Sequence, residues 1–141
     1  MEHEVREALS KGEIEATFPV MKQLRPHLNE GEYLEKVRRM QGTGYRIAAL
    51  VEDGRVVCVA GFRIQEYLYC GTHLYVDDLV TDSRARSRAY GQRMLDWLSD
   101  EARRYGCAEL HLDSGLQRSD AHRFYSREGF TIFAYHFRKE L

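Results

Sequence analysis

The chain has 141 residues, a size that suits one domain better than two, with 43% hydrophobic and 30% charged residues. Lys plus Arg number 21 against 22 Asp plus Glu, a net charge of −1, which argues against a non-specific nucleic-acid binder because such proteins carry a large positive excess. The longest strongly apolar run, residues 56–62, falls far short of the roughly 20 residues that cross a bilayer.

The acidic-rich N-terminal segment lacks a basic-then-apolar leader. A cytoplasmic protein without membrane association is therefore expected. The three cysteines, Cys58, Cys70 and Cys107, form no CxxC pair and no disulfide framework, and free thiols in a reducing compartment are the expectation. No linker and no internal repeat interrupts the chain, so one unit spanning residues 1–141 is expected.

Ile14, Phe18, Met21 and Leu24 recur at spacings of four and three, which places them on one helical face. Pro19 is expected in an early turn of that helix and Pro26 just beyond its end. A second short helix carries Tyr33, Leu34, Val37 and Met40 on its apolar side and ends at Gly42 and Gly44. Residues 45–52 and 55–67, rich in Val, Ile and aromatics, read as strands joined by Asp53-Gly54, a dipeptide suited to a tight hairpin turn. Residues 72–81 read as a third strand, giving three antiparallel strands before residue 82.

A helical stripe of Gly91, Met94, Leu95, Leu98, Ala102 and Tyr105 follows and closes at Gly106. Ala108, Leu110 and Leu112 then alternate with Glu109, His111 and Asp113, the period of a strand. Ser119 or Asp120 is expected to cap a short helix that runs through Glu128 and closes at Gly129. Residues 130–137 read as a final strand. A strand-rich middle followed by alternating elements predicts an α/β (α+β) fold, a mixed and mostly antiparallel sheet flanked by helices.

Residues 76–95, VDDLVTDSRARSRAYGQRML, are the most informative stretch. A strand ends, a basic turn of small residues follows, and a long amphipathic helix begins. That order points several backbone N–H groups and the positive end of the helix dipole at one place. Ser87, Ala89 and Gly91 are small enough for close approach, and Arg84, Arg86, Arg88 and Arg93 raise the local potential. These features predict a site for a pyrophosphate or similar polyanion. An ordinary solvated helix start is the other reading of the same residues. Neither a GxxxxGK[ST] nor a GxGxxG pattern is present.

Arg86-Ser87-Arg88-Ala89-Tyr90-Gly91 resembles the Q/R-x-x-G-x-G/A motif of the GNAT superfamily, the acyl-CoA-dependent N-acyltransferases, with Ala89 in place of the first glycine. Asp77-Asp78-Leu79-Val80 resembles the strand that enters that turn in the family. Downstream, Ala121-His122-Arg123-Phe124-Tyr125-Ser126-Arg127-Glu128-Gly129-Phe130 is similar to the family's A-x-x-x-Y-x-x-x-GF segment, with Arg118 where an Asn often stands. The similarity covers residues 45–137, and the two N-terminal helices fit the family's order.

This resemblance implies a GNAT-like domain with splayed central strands, acetyl-CoA as co-substrate, no metal, and direct acetyl transfer to a primary amine of a small molecule or peptide. It implies that the backbone of Leu79, Val80 and Thr81 pairs with the pantetheine arm. The N–H groups of Arg86, Ser87, Arg88, Ala89, Tyr90 and Gly91, with Gln92 at the edge, would hold the pyrophosphate. Val80 N–H would polarise the thioester carbonyl. Tyr125 stands where the family places its hydrogen-bond donor to the departing thiolate.

The acceptor amine must be neutral to attack. For a lysine-like amine with pKa near 10.4 that costs about 4–5 kcal/mol at pH 7, and for an α-amino group about 1 kcal/mol. A carboxylate beside the strand can take the proton, and Asp77 and Asp78 are the candidates. Being adjacent in a strand, they are expected on opposite faces, with only one toward the cleft. Asp113 and Glu66 are weaker candidates, and a solvated or capping carboxylate is the plain alternative for each.

Tyr33, Tyr67, Tyr69 and Tyr75 are candidate linings of the acceptor pocket, and the acidic residues favour a cationic acceptor. His73, His111 and His122 lie on different elements without HxxxH or HExxH spacing, so no metal site is expected. Apolar residues on both faces of 130–137 point to a covered edge or a homodimer contact. The alternative to an enzyme is a non-catalytic CoA-binding sensor or a protein-interaction module.

Overall fold

The computed structural model describes residues 3–85 and 89–141. Its elements are β1 (His3–Glu7), α1 (Lys11–Leu24), α2 (Glu30–Gln41), β2 (Arg46–Glu52), β3 (Arg55–Tyr67), β4 (Gly71–Thr81), a 3-10 turn at Ser83–Ala85, α3 (Tyr90–Arg104), β5 (Glu109–Leu112) and α4 (Ser119–Arg127). The five strands form a mixed sheet in the order β1-β2-β3-β4-β5, and the β1–β2, β2–β3 and β3–β4 pairs are antiparallel. Two compact units result, residues 1–111 and residues 112–141.

In the first unit, helices cover the sheet because the strands are apolar on both sides. Ile14, Phe18 and Met21 of α1 and Tyr33 and Val37 of α2 share a core with Ile47, Val59 and Val80. Trp97 of α3 meets Phe62 edge-to-face at 6.0 Å, and Met94 and Leu98 on the same helix are fully buried. Ser10 and Glu13 form a reciprocal capping box at the start of α1. Asp53 (φ 50°) and Gly54 (φ 78°) both adopt the left-handed conformation that a two-residue hairpin turn demands.

Two expectations about this unit need correction. Pro19 lies inside α1 rather than in an early turn; it is on the exposed side, where water can take up the carbonyl that a proline leaves without an N–H partner. A strand precedes the first helix: β1 pairs from His3↔Glu52 to Glu7↔Ala48. Its HEVRE sequence has a single apolar residue, so periodicity could not announce it. The salt bridge of Arg46 to Glu7 at 2.8 Å, with Glu101 of α3 as a second partner of the same guanidinium, fastens that edge. There are thus four strands, not three, before residue 82.

Both long hairpins carry a bulge. The β2–β3 register passes from Leu50↔Cys58 to Val51↔Val56, leaving Val57 as the extra residue. The β3–β4 register passes from Gly61↔Asp78 to Phe62↔Val76, leaving Asp77 as the extra residue. Such an insertion bends the strand and re-aims the neighbouring side chains.

In the second unit, α4 begins at Ser119 with Arg118 in the cap position and no side-chain cap bond, so neither Ser119 nor Asp120 is the cap. Gly129, at φ 90°, follows the helix end as expected. Residues 130–141 form no strand, in contrast to the expected strand at 130–137. An apolar run records a capacity for pairing, while a strand exists only where a neighbouring edge supplies the ladder.

Candidate active site

The turn after β4 is held by a buried carboxylate. Asp82 is 1% exposed and accepts from Arg84 Nη2 at 3.0 Å, from the Arg84 backbone N–H at 3.1 Å and from Gln23 Nε2 at 3.2 Å. Its own N–H donates to Val57 O at 2.8 Å. Gln23 also accepts from Ser83 N at 2.9 Å, so α1 grips the turn from both sides. The Arg84 guanidinium is the main cause that lowers the Asp82 carboxyl to about 2.

Arg86, Ser87 and Arg88, three of the expected pyrophosphate contacts, lie outside the described residues. Ala89 caps α3 in the left-handed conformation, φ 59° and ψ 24°, with no side-chain cap bond. The alanine therefore adopts the backbone shape that a glycine would take there, at a cost of about 1–2 kcal/mol. The first intrahelical bond runs from Arg93 N to Ala89 O at 3.1 Å, so the Tyr90, Gly91 and Gln92 amides belong to the N-terminal group that a helix cannot satisfy internally.

The Tyr90 side chain is buried and bonds the Glu52 carboxylate of β2. It anchors the helix start, and only its backbone remains for a ligand. Arg93 Nη1 is buried without a hydrogen-bond partner among the described residues. A helix start without a side-chain cap, with an unpartnered guanidinium nitrogen one turn inside it, fits a polyanion.

On β4, the Val80 side chain belongs to the core, 8% exposed, while Leu79 and Thr81 are half-buried. Leu79, Val80 and Thr81 pair with Ala60, Val59 and Cys58 of β3. The other neighbour, β5, meets β4 at its far end, where the His111 ring lies 6.2 Å from Tyr75. Five residues of extended chain, roughly 17 Å, separate that contact from Val80.

The bulge brings the two aspartates into one network rather than onto opposite faces. Asp78 accepts from Tyr45 Oη at 2.6 Å through one oxygen and from Arg25 Nε at 2.9 Å through the other. Asp77 accepts from Arg63 Nε at 2.9 Å, while its backbone carbonyl takes Arg25 Nη2 at 3.0 Å. The Arg63 guanidinium also lies 5.3 Å from the centre of the Tyr45 ring. Burial pushes the Asp77 carboxyl above its ordinary value, with Arg63 opposing. Burial and the neighbouring Asp78 push the Tyr45 phenol up, so Tyr45 stays protonated and donates.

Gly61 makes this possible: a Cβ there would sit 1.8 Å from Tyr45 Oη and 2.6 Å from Asp78 Oδ2. Arg25, Tyr45, Arg63, Gly61 and Asp82 were not singled out in the sequence. Their roles depend on pairing across 14 to 59 residues, and only a glycine in the middle of an apolar strand hinted at a close approach.

The remaining candidates disperse. Glu66 is exposed and pairs with Thr72, five residues along β3 from Gly61. Tyr33 is a buried core residue whose hydroxyl lies 2.7 Å from Thr17 Oγ1. Tyr67, Tyr69 and Tyr75 gather instead around His73 and His111. Within the second unit, Asp113 lies 2.8 Å from His136 Nδ1, and Tyr125 is half-buried with ring neighbours Phe124 and Phe130 at 5.4 and 5.6 Å.

The Acetyltransferase (GNAT) family model matches residues 11–130. The chain belongs to the GNAT acetyltransferase family. It is therefore an acyltransferase of the N-acetyltransferase kind, and its sheet flanked by helices is the GNAT fold. Over 137 residues, 96% of both chains, it is 39% identical to YhdJ of Bacillus subtilis, an uncharacterized N-acetyltransferase. It is 33% identical over 98 residues to an aminoalkylphosphonate N-acetyltransferase of Salmonella typhimurium, covering 69% of this chain and 62% of the relative. Among solved structures, aminoglycoside N-acetyltransferase AAC(6')-Iy in complex with CoA superposes with a TM-score of 0.84 at 17% identity, covering 99% of this chain and 96% of the other. In the described residues, no helix of this GNAT protein is long and apolar enough to cross a membrane.

Proposed function

We propose that this GNAT protein moves an acetyl group from acetyl-CoA directly to the primary amine of a small molecule, and that residues 1–141 act as one catalytic domain. The observation that carries the reading is the start of α3, where a left-handed Ala89 leaves the helix N-terminus without a side-chain cap and Arg93 Nη1 lies buried and unpartnered. The family model's span over both units supports the single domain. The names of the aminoalkylphosphonate and aminoglycoside enzymes support a small amine as acceptor.

In this proposal the amides at residues 86–92 hold the pyrophosphate, and the backbone of Leu79, Val80 and Thr81 aligns the pantetheine arm. Asp82 N–H donates to Val57 O and strand amides alternate in direction, so Val80 N–H also faces β3. The N–H that polarises the thioester carbonyl is therefore one on the other side of β4, that of Leu79 or Thr81. Asp77 takes the proton of the attacking amine. Between the two aspartates it is better suited, because both Asp78 oxygens are already bonded whereas Arg63 takes only one oxygen of Asp77 in the bonds described above. Its raised carboxyl also accepts a proton more readily than an ordinary aspartate. Asp78 is a positioning residue that fixes the bulge. The A-x-x-x-Y-x-x-x-GF motif supports Tyr125 as hydrogen-bond donor to the thiolate that leaves when the new amide bond forms.

The test is to incubate the protein with acetyl-CoA and a panel of primary amines while following free thiol and acetylated product. Amine-dependent thiol release with one acetyl added to the acceptor is the expected result. Stabilisation by CoA without any thiol release would instead identify a sensor. The absence of any thermal shift with CoA would identify a protein-interaction module.

A further inference from the structure

At the β3–β4 turn, far from the bulge, three metal-ligating side chains converge from two parts of the chain. Cys70 Sγ, a Glu109 carboxylate oxygen and a His111 ring nitrogen lie within 4.8 Å of one another. His111 Nε2 is 2.8 Å from Glu109 Oε1. His73, on β4, places Nδ1 3.5 Å from Cys70 Sγ and its ring 4.7 Å from that of His111.

His73 packs against this group. Its Nδ1 lies 3.0 Å from Gly71 O; a carbonyl only accepts, so the proton sits on Nδ1 and the lone pair on Nε2. His73 is 0% exposed, and Nε2 has no hydrogen-bond partner among the described residues. The His73 atom beside Cys70 is thus the protonated Nδ1, which cannot ligate, so His73 flanks the group without being a ligand.

We propose that Cys70, Glu109 and His111 bind a borderline-soft divalent ion of the Zn²⁺ class, with water in the fourth position. A thiolate, an imidazole and a carboxylate are donors such an ion accepts, and a Mg²⁺ or Ca²⁺ site would be all oxygen. A tetrahedral ion about 2.0–2.3 Å from each donor sets donors about 3.3–3.8 Å apart, so the three-residue group must close by no more than about 1.5 Å. Binding exchanges the thiol proton for a metal–sulfur bond and releases that proton to solvent. The ion would tie the hairpin end to β5, bracing the edge where β4 and β5 meet. HxxxH-type searches miss this arrangement because the ligands come from a turn and from a strand about 40 residues later in the chain.

Co²⁺ titration of the full chain tests it, with Zn²⁺ competition and thermal unfolding in parallel. One equivalent of Co²⁺ should bind with the visible bands of a tetrahedral ion and a near-ultraviolet sulfur-to-metal band, and Zn²⁺ should displace it and raise the Tm. Cys70→Ser should abolish the sulfur band, and His111→Ala should weaken binding about 10–100-fold. Glu109→Gln, at a side chain 53% exposed, should weaken binding without disturbing folding. No spectral change at millimolar Co²⁺, or binding untouched by Cys70→Ser and Glu109→Gln, would overturn the site. These readouts contain no acyl transfer, so the result is independent of the proposed reaction.

Discussion

The Tyr45 hydroxyl reaches Asp78 Oδ2 at 2.6 Å through space that any side chain at position 61 would occupy. Gly61 faces Asp78 across the β3–β4 ladder at the step where the register shifts. The bulge, the buried phenol and the carboxylate therefore form one device, and Arg25 and Arg63 close it from either side.

Gly61→Ala should break this device even though alanine is the smallest replacement with a Cβ. Tyr45 or Asp78 must move, and a loss of about 1–3 kcal/mol is expected from overpacking together with the broken hydrogen bond. Tyr45→Phe, which removes only the hydroxyl, should cost less. Urea unfolding of the two variants gives the comparison, and equal losses would show that Gly61 matters for some reason other than the Tyr45–Asp78 contact.

Asp77→Asn should lower kcat/KM about 10²–10⁴-fold and remove the acidic limb of its pH profile. The limb of the native protein should lie above the ordinary aspartate range, since burial raises Asp77. Asp78→Asn should lower activity less and leave the limb in place. Should the limb survive Asp77→Asn and vanish with Asp78→Asn, the two roles are reversed.

Ala89→Gly should relieve the left-handed backbone at the α3 cap. The strain of about 1–2 kcal/mol is partly offset by the greater freedom of glycine in the unfolded chain, leaving a gain of about 0.5–1 kcal/mol. CoA should bind a few-fold more tightly, because the backbone no longer resists the shape it adopts there. Calorimetric titration and thermal unfolding measure both effects, and a lowered Tm would contradict the assignment of strain.

Asp82→Asn should destabilise the turn after β4 by about 1–3 kcal/mol, since the charge that accepts from Arg84 and Gln23 disappears. The pH dependence has a defined sign. The folded carboxyl, lowered to about 2 against an ordinary 3.8, binds protons less readily than the unfolded one, so its contribution is complete above about pH 4 and fades as pH falls toward 2. Unfolding followed between pH 5 and 2 should show a shallower acid loss for Asp82→Asn than for the native chain.

Tyr125→Phe should lower kcat about 10–100-fold while leaving CoA affinity unchanged, if the hydroxyl acts only on the departing thiolate. Rapid-mix and steady-state kinetics with one amine separate the two quantities. A loss of CoA affinity with kcat preserved would make Tyr125 a binding residue.

The residues themselves specified the hairpin at Asp53-Gly54, the long strands, the amphipathic α3 with its basic approach, and two motifs in the order of an acyltransferase. These are local properties: turn chemistry, a period of two or 3.6, and small residues before a helix act over a few positions and can be read directly. Only the tertiary structure decided the rest. The weak β1 exists because β2 offers an edge, and residues 130–137 remain without a strand because an apolar run alone supplies no partner. Asp77 and Asp78 meet in one network because a bulge overrides the two-residue period. Cys70 and His73 converge with Glu109 and His111 because β4 and β5 lie side by side. In each case the deciding energy comes from groups far apart in the chain, whose contact no local pattern encodes.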